Sequence, residues 1–378
     1  MASIRKRTWT SRGIERSAWI VDYFDQSGKR RLKTFATKKE ADAWSVTALH
    51  EVQQGTHTPA STSVTVAEAV ERWLTACEAE GLEHSTIKQR RGHLVHHIGP
   101  FLGREKLASL TTPRIYQFDA DLRNAGRSVA MRRKVLINLA TVLTFCQGQG
   151  LVAQNVARGV KIKSDDRQKA RQLKEGRDFP SKAEIRLLID SASDRWRPFL
   201  ITAVFTGMRA SELRGLRWQD VDLDEGLVAV TQRADAWRCI GAPKSAAGTR
   251  TIPLVPMAIN SLRQWHLACP TGELGLVFPS NAGTVDSLTN IAKRVWKPLQ
   301  CRCGIVAETG KARYGFHALR HAAASLFIAT LGWTPKRVQS VLGHASITMT
   351  FDRYGHLFTD RDGDKEAMKK LEAAIVAA

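Results

Sequence analysis

The stretch "GHASITMTFDRYGHLF", residues 343–358, holds one of only four tyrosines in a chain of 378 residues. Tyr354 stands between Arg353 and Gly355, two positions before His356 and ten after His344. A tyrosine destined for a core normally lies among apolar neighbours and needs a partner only for its hydroxyl. This one sits in a polar run, and the pattern predicts a phenol presented at a surface. His344 follows directly on the glycine that stops an apolar helix, "VQSVLG", where a histidine often serves only as a C-terminal cap.

Moving upstream, "FHALRHAAASLF" (316–327) places His317 and Arg320 three apart, on one face of a helix, with the alanines providing close packing. His321 is expected to point elsewhere. In "GAPKSAAGTRTIPL" (241–254), Pro243 and Gly248 bracket a tight excursion that would project Lys244 from a hairpin, between the strands "GLVAV" and "RTIPLV". In "TGMRASEL" (206–213), Gly207 permits a turn that sets Arg209 at a helix start, with Glu212 one turn on. Each feature alone has a bland reading: a surface ion pair, a solvated lysine, a polar helix face, an amphipathic tyrosine.

Together they meet one chemical requirement. A phosphodiester under attack gains negative charge on its non-bridging oxygens, and two guanidiniums with paired donors can hold and match that charge. Arg209 and Arg320 suit this role. A phenol with a pKa of about 10 is only about 0.1% ionised at pH 7, so it needs a base or a cationic pocket. His317 is a candidate base or relay. A departing 5′ oxygen needs a proton, for which Lys244 is a candidate. No carboxylate cluster suited to magnesium accompanies these residues, so fixed cations are expected in place of metal, with no cofactor.

Composition points the same way. Fifty-seven Lys and Arg face 36 Asp and Glu, a formal charge of +21. The excess occurs in every part of the chain, which would repel itself without a polyanion nearby and suggests that every part touches one. Nucleic acid is the leading partner. An anionic membrane is disfavoured, because no lysine-rich helix carries a wide apolar face. Six cysteines without framework spacing suggest a reducing compartment; Cys301 and Cys303 form the only close pair, and the expectation there is a plain loop. The N-terminus lacks the apolar region of a signal peptide, and no apolar run reaches a membrane span. The expected location is the bacterial cytoplasm, in association with the nucleoid.

The expected organisation is multidomain and mainly α with small β elements. Residues 1–60 read as strands "SAWIVDYF" and "RLKTFAT" followed by a helix closed by Gly55, with Arg30, Arg31 and Lys33 on or near a strand. Residues 64–160 read as four or five helices; Val66, Ala69, Val70, Trp73 and Leu74 form a 3.6-residue stripe. Residues 161–178 are a charged linker. Residues 179–378 form an α+β domain with a C-terminal tail, beginning at a helix capped by Ser181 with Glu184 three residues on.

The motifs at 206–213, 243–254, 317–321 and 342–356, in that order, resemble the tyrosine recombinase family of phage integrase type. The resemblance covers about 200 residues at high specificity, and more loosely "EHSTIKQRRGHL" and "NLATVLTFCQGQGLVAQNVA" as a core-binding domain; residues 1–60 resemble an arm-type DNA-binding domain. It implies that Tyr354 is the nucleophile, leaving a 3′-phosphotyrosine and a free 5′ hydroxyl without metal or ATP. It implies that Arg209 and Arg320 clamp the phosphate, that His317 and His344 hydrogen-bond around it, that Lys244 is the general acid, and that Glu212 supports the site. Lys88, Arg90, Arg91, Arg132 and Arg133 are added as candidate DNA contacts with the strand residues. Partners implied are double-stranded DNA at core and arm sites, a homotetramer in the synapse, a DNA-bending protein and an excisionase. The tail at 360–378 carries a helical pattern expected to dock on a neighbouring protomer. A non-catalytic DNA-binding protein would not need all six catalytic candidates, and a type IB topoisomerase would not need the N-terminal extension. Integration or excision of a prophage or other mobile element is therefore the expected function.

Overall fold

The computed structural model describes residues 2–25, 27–54, 57–59, 62–162, 173–358, 368 and 371–374. Gly55, residues 163–172 of the charged stretch and most of the tail at 360–378 lie outside the described residues. The chain gathers into two compact units, Met1–Arg167 and Gln168–Ala378. Among the described residues no helix is long and apolar enough to cross a membrane.

The first unit opens with an antiparallel sheet of β1 (Ser3–Ser11), β2 (Ile14–Phe24) and β3 (Arg30–Phe35). The sequence reading found only the second and third strands. β1 is polar and almost wholly exposed, so it carries no apolar alternation to betray it. Its signal was the two-residue turn Arg12–Gly13, where both φ values are positive, 53° and 77°, as a tight hairpin requires. Helix α1 (Lys38–Gln53) starts in a reciprocal capping box between Thr37 and Glu40 and lays Ala41 and Trp44 on Val21 and Tyr23.

A separate helical core follows. Helix α2 (Val66–Ala79) buries the whole stripe read from the sequence: Val66, Ala69, Val70, Trp73 and Leu74. Helix α3 (His84–His93) continues through a wider turn, Leu94–Ile98, to Leu102, and α4 (Thr112–Asn124) and α5 (Val129–Gly148) complete the packing around Phe118, Leu139 and Leu143.

The second unit begins with α6 (Lys182–Asp190), whose Ser181–Glu184 capping box forms as expected. Helix α7 (Trp196–Thr206) is apolar on nearly every side and sits at the centre of the core; α8 (Ala210–Gly215) follows after one turn. Strands β4 (Val221–Asp222), β5 (Leu227–Val230) and β8 (Arg250–Pro253) form one antiparallel sheet, and β6 (Arg233–Ala234) pairs with β7 (Ile240–Gly241) as a small hairpin. Helices α9 (Pro256–Ala268), α10 (Lys297–Arg302), α11 (Ala318–Ala329), α12 (Pro335–Leu342) and α13 (Ile347–Tyr354) complete it. Cys301 lies in the last turn of α10 and Cys303 caps it, so the expected loop starts slightly later. The alanines at 322–324 are fully buried and let α11 approach α7 closely.

Candidate active site

The site is built on the C-terminal end of α12. The last carbonyls of a helix lack intrahelical donors and carry its negative dipole end, so cations are favoured there. Three arginines from three distant segments take three consecutive carbonyls. Arg250 Nε donates to Val341 at 2.6 Å, Arg320 Nη2 to Leu342 at 2.6 Å, and Arg209 Nη2 to Gly343 at 2.8 Å. Arg320 also donates through Nη1 to the Gly207 carbonyl at 2.7 Å. Gly207 ends α7 at φ +61°, and a Cβ there would lie 2.6 Å from Leu342 Cδ2. Only glycine allows both the left-handed turn and this approach.

Glu212, 2% exposed, is the carboxylate that binds the cluster together. It accepts from Arg209 Nη1 at 2.7 Å and from the Arg209 backbone N–H at 2.8 Å, closing the α8 N-terminus, and from Arg250 Nη2 at 2.8 Å. Burial acts to raise its pKa, but bonds and charge from Arg250 and Arg209 outweigh it, and the carboxyl titrates below its ordinary value. Arg320 is 4% exposed, and burial together with the Arg209 charge pushes its pKa down to about 9. Three guanidiniums against one carboxylate leave positive charge uncompensated, which is the electrostatic form of an anion site.

The histidines surround this charge. His344 is buried and its Nδ1 lies 2.8 Å from Thr350 Oγ1; burial, then Arg320 and Arg209, depress its pKa to about 3. His317 stands at the N-terminus of α11, with part of its surface open to solvent; desolvation of the ring, then Arg320, Arg209 and Arg353, lower it to about 4. Both rings are therefore neutral at pH 7.

Tyr354 corrects the expectation of a presented phenol, for it is 2% exposed. Its neighbours in sequence are polar, but α13 turns one stripe inward, Thr350 and Tyr354, and leaves Met349, Phe351 and Arg353 outside. Burial raises its pKa to about 12, against the opposing pull of Arg320 and Arg353. The phenol oxygen lies 2.6 Å from His321 Nδ1. His321 was expected to point away, yet it is four residues from His317 and so shares its face; the two rings meet edge-on at 4.9 Å.

Lys244 stands exposed in the excursion between β5 and β8, which pair antiparallel as its flanking strands, and lies three residues beyond the small β6–β7 hairpin that ends at Gly241. That loop is tied to the site at its far end, where Arg250 Nη1 donates to the Gly248 carbonyl at 2.8 Å. Arg250 itself was missed. Its signal was register: Arg250 and Ile252 occupy one face of β8, and Ile252 is core.

The candidate DNA contacts divide by environment. Arg132 is buried and held by Asp119 at 2.6 Å, which makes it a strut between α4 and α5 rather than a presented cation. Arg30 pairs with Asp22 and Arg31 with Asp25 at 2.7 Å, and Lys33 lies 4.4 Å over the Trp44 ring, half-buried, with its pKa lowered by desolvation. Arg90 stacks 4.4 Å from Trp73, Arg91 pairs with Glu71 at 2.9 Å, Arg133 is exposed and reaches the Ile162 carbonyl at 3.2 Å, and Lys88 is exposed.

Residues 180–361 match the phage integrase family. A protein of Caldanaerobacter subterraneus named "Tyrosine recombinase XerC-like" is 25% identical over 361 residues, 88% of this chain and 90% of that protein. The "Prophage integrase IntR" of Escherichia coli is 25% identical over 365 residues, 90% and 80% of the two chains. The fold matches that of the Tn1549 transposon integrase, solved with a circular intermediate DNA, at a TM-score of 0.64 and 17% identity, over 82% of this chain and all of that one. Residues 180–361 carry a phage integrase domain, and the chain is similar over most of its length to tyrosine recombinases and prophage integrases. It is a site-specific recombinase.

Proposed function

We propose that this enzyme integrates and excises a prophage or other mobile DNA element by cutting one strand at a time through Tyr354. The phenol oxygen attacks a phosphorus held by Arg209 and Arg320, leaving a 3′-phosphotyrosine and a free 5′ hydroxyl. His317 and His344 hydrogen-bond around the phosphate, Glu212 and Arg250 hold the guanidiniums, and Lys244 protonates the departing oxygen. The observation that carries this reading is the set of guanidiniums gathered on three successive carbonyls beside a buried tyrosine. The phosphotyrosyl ester keeps roughly the energy of the original bond, so another 5′ hydroxyl can displace it without ATP.

Residues 1–60 act as an arm-type DNA-binding domain, 64–160 as the core-binding domain, 161–178 as the linker and 179–378 as the catalytic domain. Four protomers act on two duplexes, with a bending protein and an excisionase setting direction, at the nucleoid of a bacterial cytoplasm. Exposed Lys88, Arg91 and Arg133, with Arg30 on the sheet, remain DNA-contact candidates; Arg132 is withdrawn from that set because it is spent on Asp119.

The test is a nicked duplex carrying the attachment site, resolved on a denaturing gel. The native chain traps a covalent protein–DNA adduct, and Tyr354→Phe binds the same duplex without forming one. Cleavage by that variant overturns the assignment.

A further inference from the structure

Of the two histidines at the start of α11, His321 is the one within hydrogen-bond reach of the nucleophile's oxygen: Nδ1 lies 2.6 Å from Tyr354 Oη, whereas the more exposed His317 ring contacts the other imidazole edge-on. A general base must first satisfy geometry, at about 2.6–3.2 Å from the atom whose proton it takes. We propose that His321, not His317, is the proton acceptor for Tyr354, with the phenol O–H donating to an unprotonated Nδ1 and the ring proton on Nε2. This rests on the reading of Tyr354 as nucleophile.

The step balances as follows. The Tyr354 Oη–phosphorus bond forms, the phosphorus–O5′ bond breaks, the phenolic proton passes to His321 Nδ1, and the leaving oxygen takes a proton from the Lys244 ammonium. Rejoining runs the same transfers backwards.

The surroundings set how readily His321 takes a proton. His317 and Arg320 on the same helix and Arg353 on α13 oppose an imidazolium at 321, while Asp178, from the segment before α6, favours it. In the free protein burial and these neighbours hold His321 near pKa 4, so it draws weakly on a phenol whose own pKa is raised. A bound phosphate adds negative charge that offsets the arginines at both groups, raising the proton affinity of His321 and of the phenol together.

The experiment is single-turnover cleavage of the nicked duplex between about pH 6.5 and 9 by the native chain, His321→Asn and His317→Asn. Asn offers an acceptor oxygen near the Nδ1 position but cannot take a proton. The native rate is expected to change little over this range, because the base is already unprotonated. His321→Asn is expected to fall about 10²–10⁴-fold at pH 7 and to rise with a log–log slope of about one, as solution hydroxide takes over. A difluorotyrosine at position 354, with a more acidic phenol, should restore that variant more than the native chain. His317→Asn should be slower yet keep the flat profile. A His321→Asn rate within about threefold of native, with a flat profile, overturns the proposal. So does a unit slope in His317→Asn, which decides the matter even if His321→Asn does not fold. An adduct formed by Tyr354→Phe would instead sink the functional reading itself.

Discussion

Arg209 and Arg320 hold adjacent carbonyls, those of Gly343 and Leu342, at 2.8 and 2.6 Å. Residues far apart in the chain are thus fixed side by side before any substrate arrives, and each guanidinium keeps further N–H groups for a ligand. Arg320→Lys tests this. A lysine ammonium is a point charge that cannot span the carbonyls of Gly207 and Leu342 while also paralleling a phosphate edge. Cleavage should fall about 10²–10³-fold with DNA affinity little changed. Adduct yield against a filter-binding curve measures both.

Arg250 should matter to stability as much as to chemistry. Its side chain is 6% exposed against a Glu212 that is 2% exposed. Removing one partner of a buried pair costs about 3–5 kcal/mol, because the other charge is left uncompensated. Arg250→Ala should lower unfolding free energy in urea by about that amount. Glu212 keeps Arg209, so the lower end of the range is expected.

Acid should unfold the second unit early. His317, His321 and His344 titrate near 4, 4 and 3, below the value of about 6.5 for an unfolded chain. Between these values the unfolded state binds more protons than the folded state, so stability rises with pH and is lost as pH falls below about 6.5. Glu212, whose pKa is also lowered, adds to the loss at still lower pH. Thermal melts from pH 7 to 4 should show a steep fall in Tm with uptake of up to three protons from this cluster, and a melt independent of pH would contradict the assignment.

Lys244 can be separated from the rest by the leaving group. Lys244→Ala should lose cleavage of an ordinary phosphodiester by about 10²–10⁴-fold. A duplex with sulfur in place of the 5′ bridging oxygen needs no proton to depart, and on it the variant should approach the native rate. Failure of that rescue would assign the loop lysine to binding alone.

Much of the site was legible because each motif couples a local structural signal with a chemical one. Gly207 announced the turn before Arg209, and the three-residue spacing put His317 and Arg320 on one face. What escaped depended on the partner surface rather than on the motif. Tyr354 has polar neighbours in sequence, yet its helix turns that one position inward onto α11. Arg250 opens a strand, and its role is set by whether the strand's inner face meets the end of α12. β1 escaped because an almost wholly exposed polar strand has no apolar rhythm. The buried Arg132 escaped because a basic residue in a basic chain reads as surface until its carboxylate is found in another helix.

Because Val341, Leu342 and Gly343 are consecutive, the three guanidiniums share one knot. A small slide or rotation of α12 cannot release one of them and spare the others. Partial activity should therefore be uncommon among changes that disturb this helix: the cleft is either tied or undone.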